Sequence, residues 1–161
     1  MATLSASITR MANATPYDAK DIVAALVASP QPLTFAGASG ELSGQGRIKA
    51  VRVVTDLITC ITQFRLHLFN AAPAGIADLA QCTAPLFTDR AKWIASISLA
   101  ALATSGGTGV SAAYVQSLAL DIPFSCANGD NAIYGLLETI DGFTPASGQI
   151  IAIYLEVAPQ R

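Results

Sequence analysis

The chain has 161 residues, of which 52% are hydrophobic and only 12% charged, with a net charge of −2. Its mass is 16.6 kDa, its sequence pI about 5.1 and its mean hydropathy +0.49. This is the size of one ordinary domain, large enough to bury a core without a disulfide or a metal. The charged share is about half the usual ~25%, which excludes disorder over most of the length. No basic run exists, so nucleic-acid binding through phosphate neutralisation is not expected.

The start, MATLSASITRMANATPYDAK, has Thr, Ser and Asn interrupting every apolar candidate for a signal peptide, so synthesis in a cytoplasm is expected. Thr3–Thr9 alternates and reads as a first strand. Asn13–Lys20 is a polar loop with Pro16 as breaker. Asp21–Ala28, DIVAALVA, fits either two turns of helix or a strand, and Ser29-Pro30 ends it. Pro32–Phe35 is a short strand, and Gly37–Gly46, GASGELSGQG, is the most flexible-looking segment. Ile48–Asp56 alternates, with β-branched valines.

Phe64–Phe69 places Phe64, Leu66 and Leu68 on one face and Arg65, His67 and Phe69 on the other. Ile76–Gln81 is a candidate helical turn. Trp93–Leu99 sets Trp93, Ala95, Ile97 and Leu99 on one face, so Trp93 is expected in the core. Val115–Phe124 reads as one strand, followed by Ala132–Ile140. Gln149–Val157 comes last, with Ile151, Ile153, Leu155 and Val157 inward. The charge-free stretch Trp93–Leu120 is broken by Ser105–Gly109, which argues against a membrane helix. Six to eight strands with turn clusters between them predict an all-β fold, an antiparallel β-sandwich with jelly-roll-like connectivity. Residues 1–17 form an extended N-terminal arm or edge strand, and 18–161 a single domain. Several outer strand faces are short of charge: Ala50 and Val54 accompany Arg52, and Ile150 and Ala152 accompany Tyr154. Such a face is either covered by another subunit or a bland surface.

Catalytic chemistry is thinly represented. His67 is the sole histidine and reads as a structural group bonded to a neighbouring strand. Glu138 and Asp141 flank a strand end and read as solvated turn acids rather than a glycosidase pair. Asn128–Asn131 offers oxygen ligands but lacks the spaced acids of a calcium loop, and reads as a turn. Ser105–Gly109 lacks the lysine of a phosphate loop. Cys60, Cys82 and Cys126 match no zinc spacing; they read as reduced thiols, with one disulfide formed after assembly as the alternative. No catalytic, metal or cofactor-binding residue is expected, and no enzyme.

Three runs carry a resemblance. They are Gln63–Asn70 (QFRLHLFN) leading into Ala71-Ala72-Pro73, Ala132–Thr139 (AIYGLLET) with Phe143–Gly148 (FTPASG), and Ser5–Arg10 (SASITR) leading into Asn13–Tyr17. From Ser5 to about Leu155 the chain resembles a family of small virion structural proteins of tailed bacteriophages. The resemblance carries no catalytic motif. It implies a capsid decoration (cement) protein on the outer surface of the head, binding the major capsid protein and itself, commonly as a homotrimer. It implies no cofactor, and neither nucleic acid nor membrane as partner. The arm, through Thr3, Leu4, Ile8, Arg10 and Tyr17, and the Gly-rich loop, through Glu41 and Leu42, are the expected contact residues. A carbohydrate-binding jelly roll of a tail or fibre is the alternative, and it requires Trp93 or Tyr134 to be exposed beside Asp or Asn groups.

Overall fold

A computed structural model describes residues 1–11, 13–25, 31–104, 112–117 and 119–160. Among the described residues there are ten strands: β1 (Ala2–Thr9), β2 (Ile22–Val23), β3 (Leu33–Phe35), β4 (Gln45–Thr55), β5 (Phe64–Phe69), β6 (Trp93–Ser98), β7 (Ala113–Ser117), β8 (Ile122–Ser125), β9 (Ile133–Thr139) and β10 (Ile150–Gln160). One 3₁₀ turn spans Phe87–Asp89. No helix among the described residues is long and apolar enough to cross a membrane.

Among the described residues all strand pairing is antiparallel, in two sheets. The first runs β1-β10-β4-β7, with β8 also on β4; the second runs β2-β9-β5-β6, with β3 also on β9. Each sheet has an edge made of an interrupted strand. On β9, Ile22 and Val23 face Glu138 and Leu137, and Leu33–Phe35 resume opposite Gly135–Ile133. On β4, Ala113–Ser117 face Thr55–Val51, and Ile122–Ser125 resume opposite Ile48–Gln45. Counting each interrupted strand once leaves two four-stranded sheets in a jelly-roll order, in which β5–β6 is the one chain-consecutive pair within a sheet.

Val115–Phe124, expected as one strand, is therefore two, Ala113–Ser117 and Ile122–Ser125, with Ala119, Leu120 and Asp121 outside both strands. Asp21–Ala28 resolves to a strand at Ile22–Val23, while Leu26, Val27 and Ala28 lie outside the described residues. Ile76–Gln81 is no helix: Ala80 N–H donates to the Ala77 carbonyl at 3.2 Å and Leu79 takes a left-handed φ of 61°. Residues 2–9 pair with β10 over their whole length, Ala2 opposite Val157 and Thr9 opposite Ile150. The N-terminal segment is thus an edge strand of its own sheet rather than a free arm. The Gly37–Gly46 loop is tied down as well. Ala38 N–H donates to Asn131 O (2.7 Å) and Ser43 N–H to Asp130 O (2.6 Å), while Cys126 N–H donates to Gly44 O at 2.9 Å.

The core lies between the sheets. Period-two alternation sends Ile151, Ile153, Leu155 and Val157 inward from β10, against Val51 and Val53 of β4 and Phe64, Leu66 and Leu68 of β5, all fully buried. Phe64 meets Phe143 edge-on at 5.8 Å, and Phe143 stacks on Tyr17 at 5.0 Å. Trp93, expected in this core, is instead 45% exposed. A bulge between Leu68 and Phe69 leaves Ala95 opposite Leu68 and Trp93 opposite Phe69. The extra residue, Ile94, packs on the core and turns Trp93 to the outer face.

Phe64→Ala is expected to cost about 3–5 kcal/mol by leaving a cavity beneath Phe143. Ile61→Ala, at a position 71% exposed, should stay within about 0.5 kcal/mol of the parent. Urea denaturation of both variants checks the placement of the core.

Candidate functional site

The second sheet is buried on its inner face and, over β9 and most of β5, on its outer face too, while the β6 edge stays exposed. Its outer face carries Arg65, His67 and Phe69 from β5, and the long β5–β6 connection, residues 70–92, forms a strap over it. Ile76, Cys82 and Ala84 of the strap pack in a small second core with Ile22, Phe69 and Leu136. The strap is fastened by its backbone: Ile22 N–H donates to Ala80 O (2.9 Å), Leu79 N–H to Ile22 O (3.0 Å) and Cys82 N–H to Lys20 O (2.6 Å). Asp89 closes it on itself, accepting from Ala74 N–H at 3.1 Å and Lys92 Nζ at 2.8 Å.

Covering this face forces its polar groups to find partners. Arg10, its side chain 1% exposed, pairs with Asp78 of the strap, 2% exposed. The Tyr17 hydroxyl donates to Asp78 Oδ1 at 2.7 Å, and Ala24 N–H to the same oxygen at 3.0 Å. The Arg10 guanidinium also lies 4.5 Å from the centre of the Tyr17 ring. Burial pushes the Tyr17 hydroxyl well above its ordinary value, against the pull of Arg10. One carboxylate thereby joins the N-terminal segment, β2 and the strap.

A second constellation follows from register. Glu138 stands opposite Arg65 and diagonal to His67, while Ser98 and Ser96 stand opposite Arg65 and His67 on the other side. His67 Nε2 lies 2.8 Å from Glu138 Oε2 and Nδ1 lies 2.7 Å from Ser96 Oγ. Arg65 reaches Glu138 Oε2 at 3.3 Å and Ser98 Oγ at 3.1 Å. Cys82 Sγ of the strap sits 3.7 Å from His67 Nε2. Burial holds the imidazole below its ordinary value, opposed by Glu138. Burial also raises the Cys82 thiol. A hydroxyl, an imidazole and a carboxylate in series is the order of a nucleophile–base–orienter relay. Here the imidazole is 3% exposed beneath the strap, while Ser96 stands on the exposed edge strand. The expectation of solvated turn acids fails for Glu138, which is 4% exposed.

The other sequence candidates are placed as follows. Thr3 is exposed on β1 and Leu4 half-buried against the core; Glu41 and Leu42 are exposed in the Gly-rich loop. Ile8, Arg10 and Tyr17 are buried inside the chain's own fold, a correction to their expected contact role: the first fills the core and the other two hold the strap. At Asn128–Asn131 the Asp130 carboxylate accepts from the Asn131 and Ala132 N–H groups and the Tyr134 hydroxyl, as a turn and not an ion site requires. Ser105–Gly109 lies outside the described residues. All three cysteines are unpaired. A cleft of about 290 Å³ between β1 and the β2/β3 edge has no titratable side chain in its lining.

The outer face of the first sheet is different in kind. Row by row across β1, β10, β4 and β7 it presents Ser7, Ala152, Val54 and Tyr114, then Ser5, Tyr154, Arg52 and Gln116. Thr3, Glu156 and Ala50 form the next row. Tyr114 and Ile150 are both 44% exposed. Arg52 lies 4.7 Å from the centre of the Tyr154 ring, and Glu156 is the other charge in these rows. Charge gathers at the β7/β8 break instead, where Arg47 and Lys49 meet Asp121 at 2.5 and 2.6 Å.

No family model matches this chain, and no curated protein matches it.

Asp78→Asn keeps the oxygen that serves Tyr17 and Ala24 but leaves Arg10 charged and buried without its partner. It should cost about 3–5 kcal/mol, and adding Arg10→Met should restore most of that loss. Denaturation midpoints of the single and double variants decide it.

Proposed function

We propose that the protein is a non-enzymatic structural component of a tailed-phage virion, a head decoration protein that binds the outer surface of the capsid through the outer face of its first sheet. The observation that carries this reading is the contrast between the two sheets. The outer face of the second is covered over β9 and most of β5 by the chain's own strap. The outer face of the first is broad, four strands wide and rich in Ser, Thr, Ala and Tyr, with Arg52 and Glu156 as the charges in these rows and Arg47, Lys49 and Asp121 gathered at the β7/β8 break. A surface of small and aromatic side chains suits the centre of a protein interface. The acidic balance suits a position away from packaged DNA. A decoration protein that binds only the expanded shell stabilises that state by mass action.

Binding through this face replaces the arm as the contact. Thr3 remains part of it, as the outward residue at the end of β1, and Glu41 and Leu42 are exposed in the loop at the sheet's margin. The partner is the major capsid protein, with further copies of this chain around a local three-fold axis.

One observation favours a second reading. Trp93 is 45% exposed, as a sugar-stacking platform would need, and Asn70 lies beside it, its N–H bonded to the Lys92 carbonyl at 2.8 Å. Tyr134 is half-buried, its hydroxyl donating to Asp130. In that reading the protein is a carbohydrate-binding module of a tail or fibre.

Counting copies in purified virions against the major capsid subunit separates the two. Decoration predicts a number comparable to the capsid protein; a handful of copies would place the protein elsewhere on the particle. Ala152→Glu and Val54→Lys should abolish capsid occupancy while leaving the circular dichroism spectrum unchanged. Full occupancy by both folded variants would refute the assignment of the face. A glycan array should give no signal with the parent protein, and binding lost on Trp93→Ala would favour the second reading.

A further inference from the structure

We infer that His67, Cys82 and Glu138 form a binding site for a single borderline-soft divalent cation of the Zn²⁺ class, which clamps the strap to the second sheet. The three donor atoms, Nε2, Sγ and a carboxylate oxygen, all lie within 4.8 Å of one another. They come from three separate places: β5, the strap and β9. Tetrahedral zinc with its usual bond lengths to sulfur, nitrogen and oxygen sets donors roughly 3.3–3.6 Å apart. Cys82 Sγ and His67 Nε2 already stand 3.7 Å apart. The His67–Glu138 contact of 2.8 Å is a hydrogen bond that must open by roughly half an ångström to admit the ion.

Two further features fit. Ser96 Oγ at 2.7 Å from Nδ1 can accept the Nδ1 proton, which fixes the ring and leaves the Nε2 lone pair facing the thiol and the carboxylate. This outer-shell arrangement is the usual one around metal-bound histidine. Arg65, which now bonds the Glu138 oxygen, has a side chain 37% exposed and a second partner in Ser98, so it can turn away. The nitrogen and sulfur donors select zinc-like ions over magnesium or calcium. Coordination converts the Cys82 thiol to thiolate and releases its proton to solvent. The two anionic ligands then neutralise the ion, and a water takes the fourth position.

The full-length chain should bind one equivalent of Zn²⁺. Co²⁺ used as a probe should give a sulfur-to-metal charge-transfer band that is absent in Cys82→Ser. Ser96→Ala, at an exposed edge position, should weaken Zn²⁺ binding about 10- to 100-fold. Zn²⁺ should also slow alkylation of Cys82 in the unsubstituted protein, a readout that needs no variant to fold. No Zn²⁺ uptake, a charge-transfer band that persists in Cys82→Ser, or alkylation of Cys82 unaffected by Zn²⁺ would each overturn the assignment.

Discussion

Everything on the second sheet depends on the strap of residues 70–92 lying across its outer face. Once that face is removed from water, a row that alternation alone would leave solvated becomes interior. The cost of burying Arg10, Asp21, His67 and Glu138 must then be offset by partners within the fold. The chain supplies them through register and through the strap itself. Asp78 takes Arg10, Tyr17 and the Ala24 N–H. Asp21 accepts from the Asp18 N–H and Gln81, each at 2.8 Å. Glu138 takes His67 and Arg65. The N-terminal segment, the β2 edge and the strap are therefore one interdependent unit, and removing the Asp78 carboxylate from it strands the buried Arg10.

The same covering makes the two sheets unequal, and this bears on function. A sandwich with most of one outer face covered by its own chain has the other left to meet solvent or a partner. The first sheet offers a face of small and aromatic side chains with Arg52 and Glu156 as isolated charges, while the concentrated charge of Arg47, Lys49 and Asp121 sits at its interrupted edge. The low charge of the whole sequence has two sources here. Part is an ordinary core, and part is a sheet face whose composition suits cover by another subunit.

Much of the fold was legible in the sequence. Alternation located β1, β4, β5, β6, β9 and β10 to within a few residues, and the inward set of β10 was readable directly, because period two needs no partner to be recognised. The interruptions were not readable. The break between β7 and β8 falls where Leu118, Leu120 and Ile122 continue the alternation in the sequence, so periodicity gives no warning of it. Trp93 was misplaced by one bulged residue, since a single insertion inverts every side chain beyond it. The polar constellations were the least accessible. Glu138 lies 71 residues from His67 and Asp78 lies 68 from Arg10, so only strand register and the path of the strap bring them together. Local pattern does show that Phe64–Phe69 puts Arg65 and His67 on one face, but not that the chain returns to cover it.

The central claim is that the open face of the first sheet is the surface by which this protein joins a larger assembly. Oxidative footprinting of Tyr114, Tyr154 and Trp93, in the free protein and on intact particles, tests it most directly. The account predicts strong protection of Tyr114 and Tyr154 on the particle with Trp93 unchanged. Protection of Trp93 with both tyrosines still reactive would contradict it.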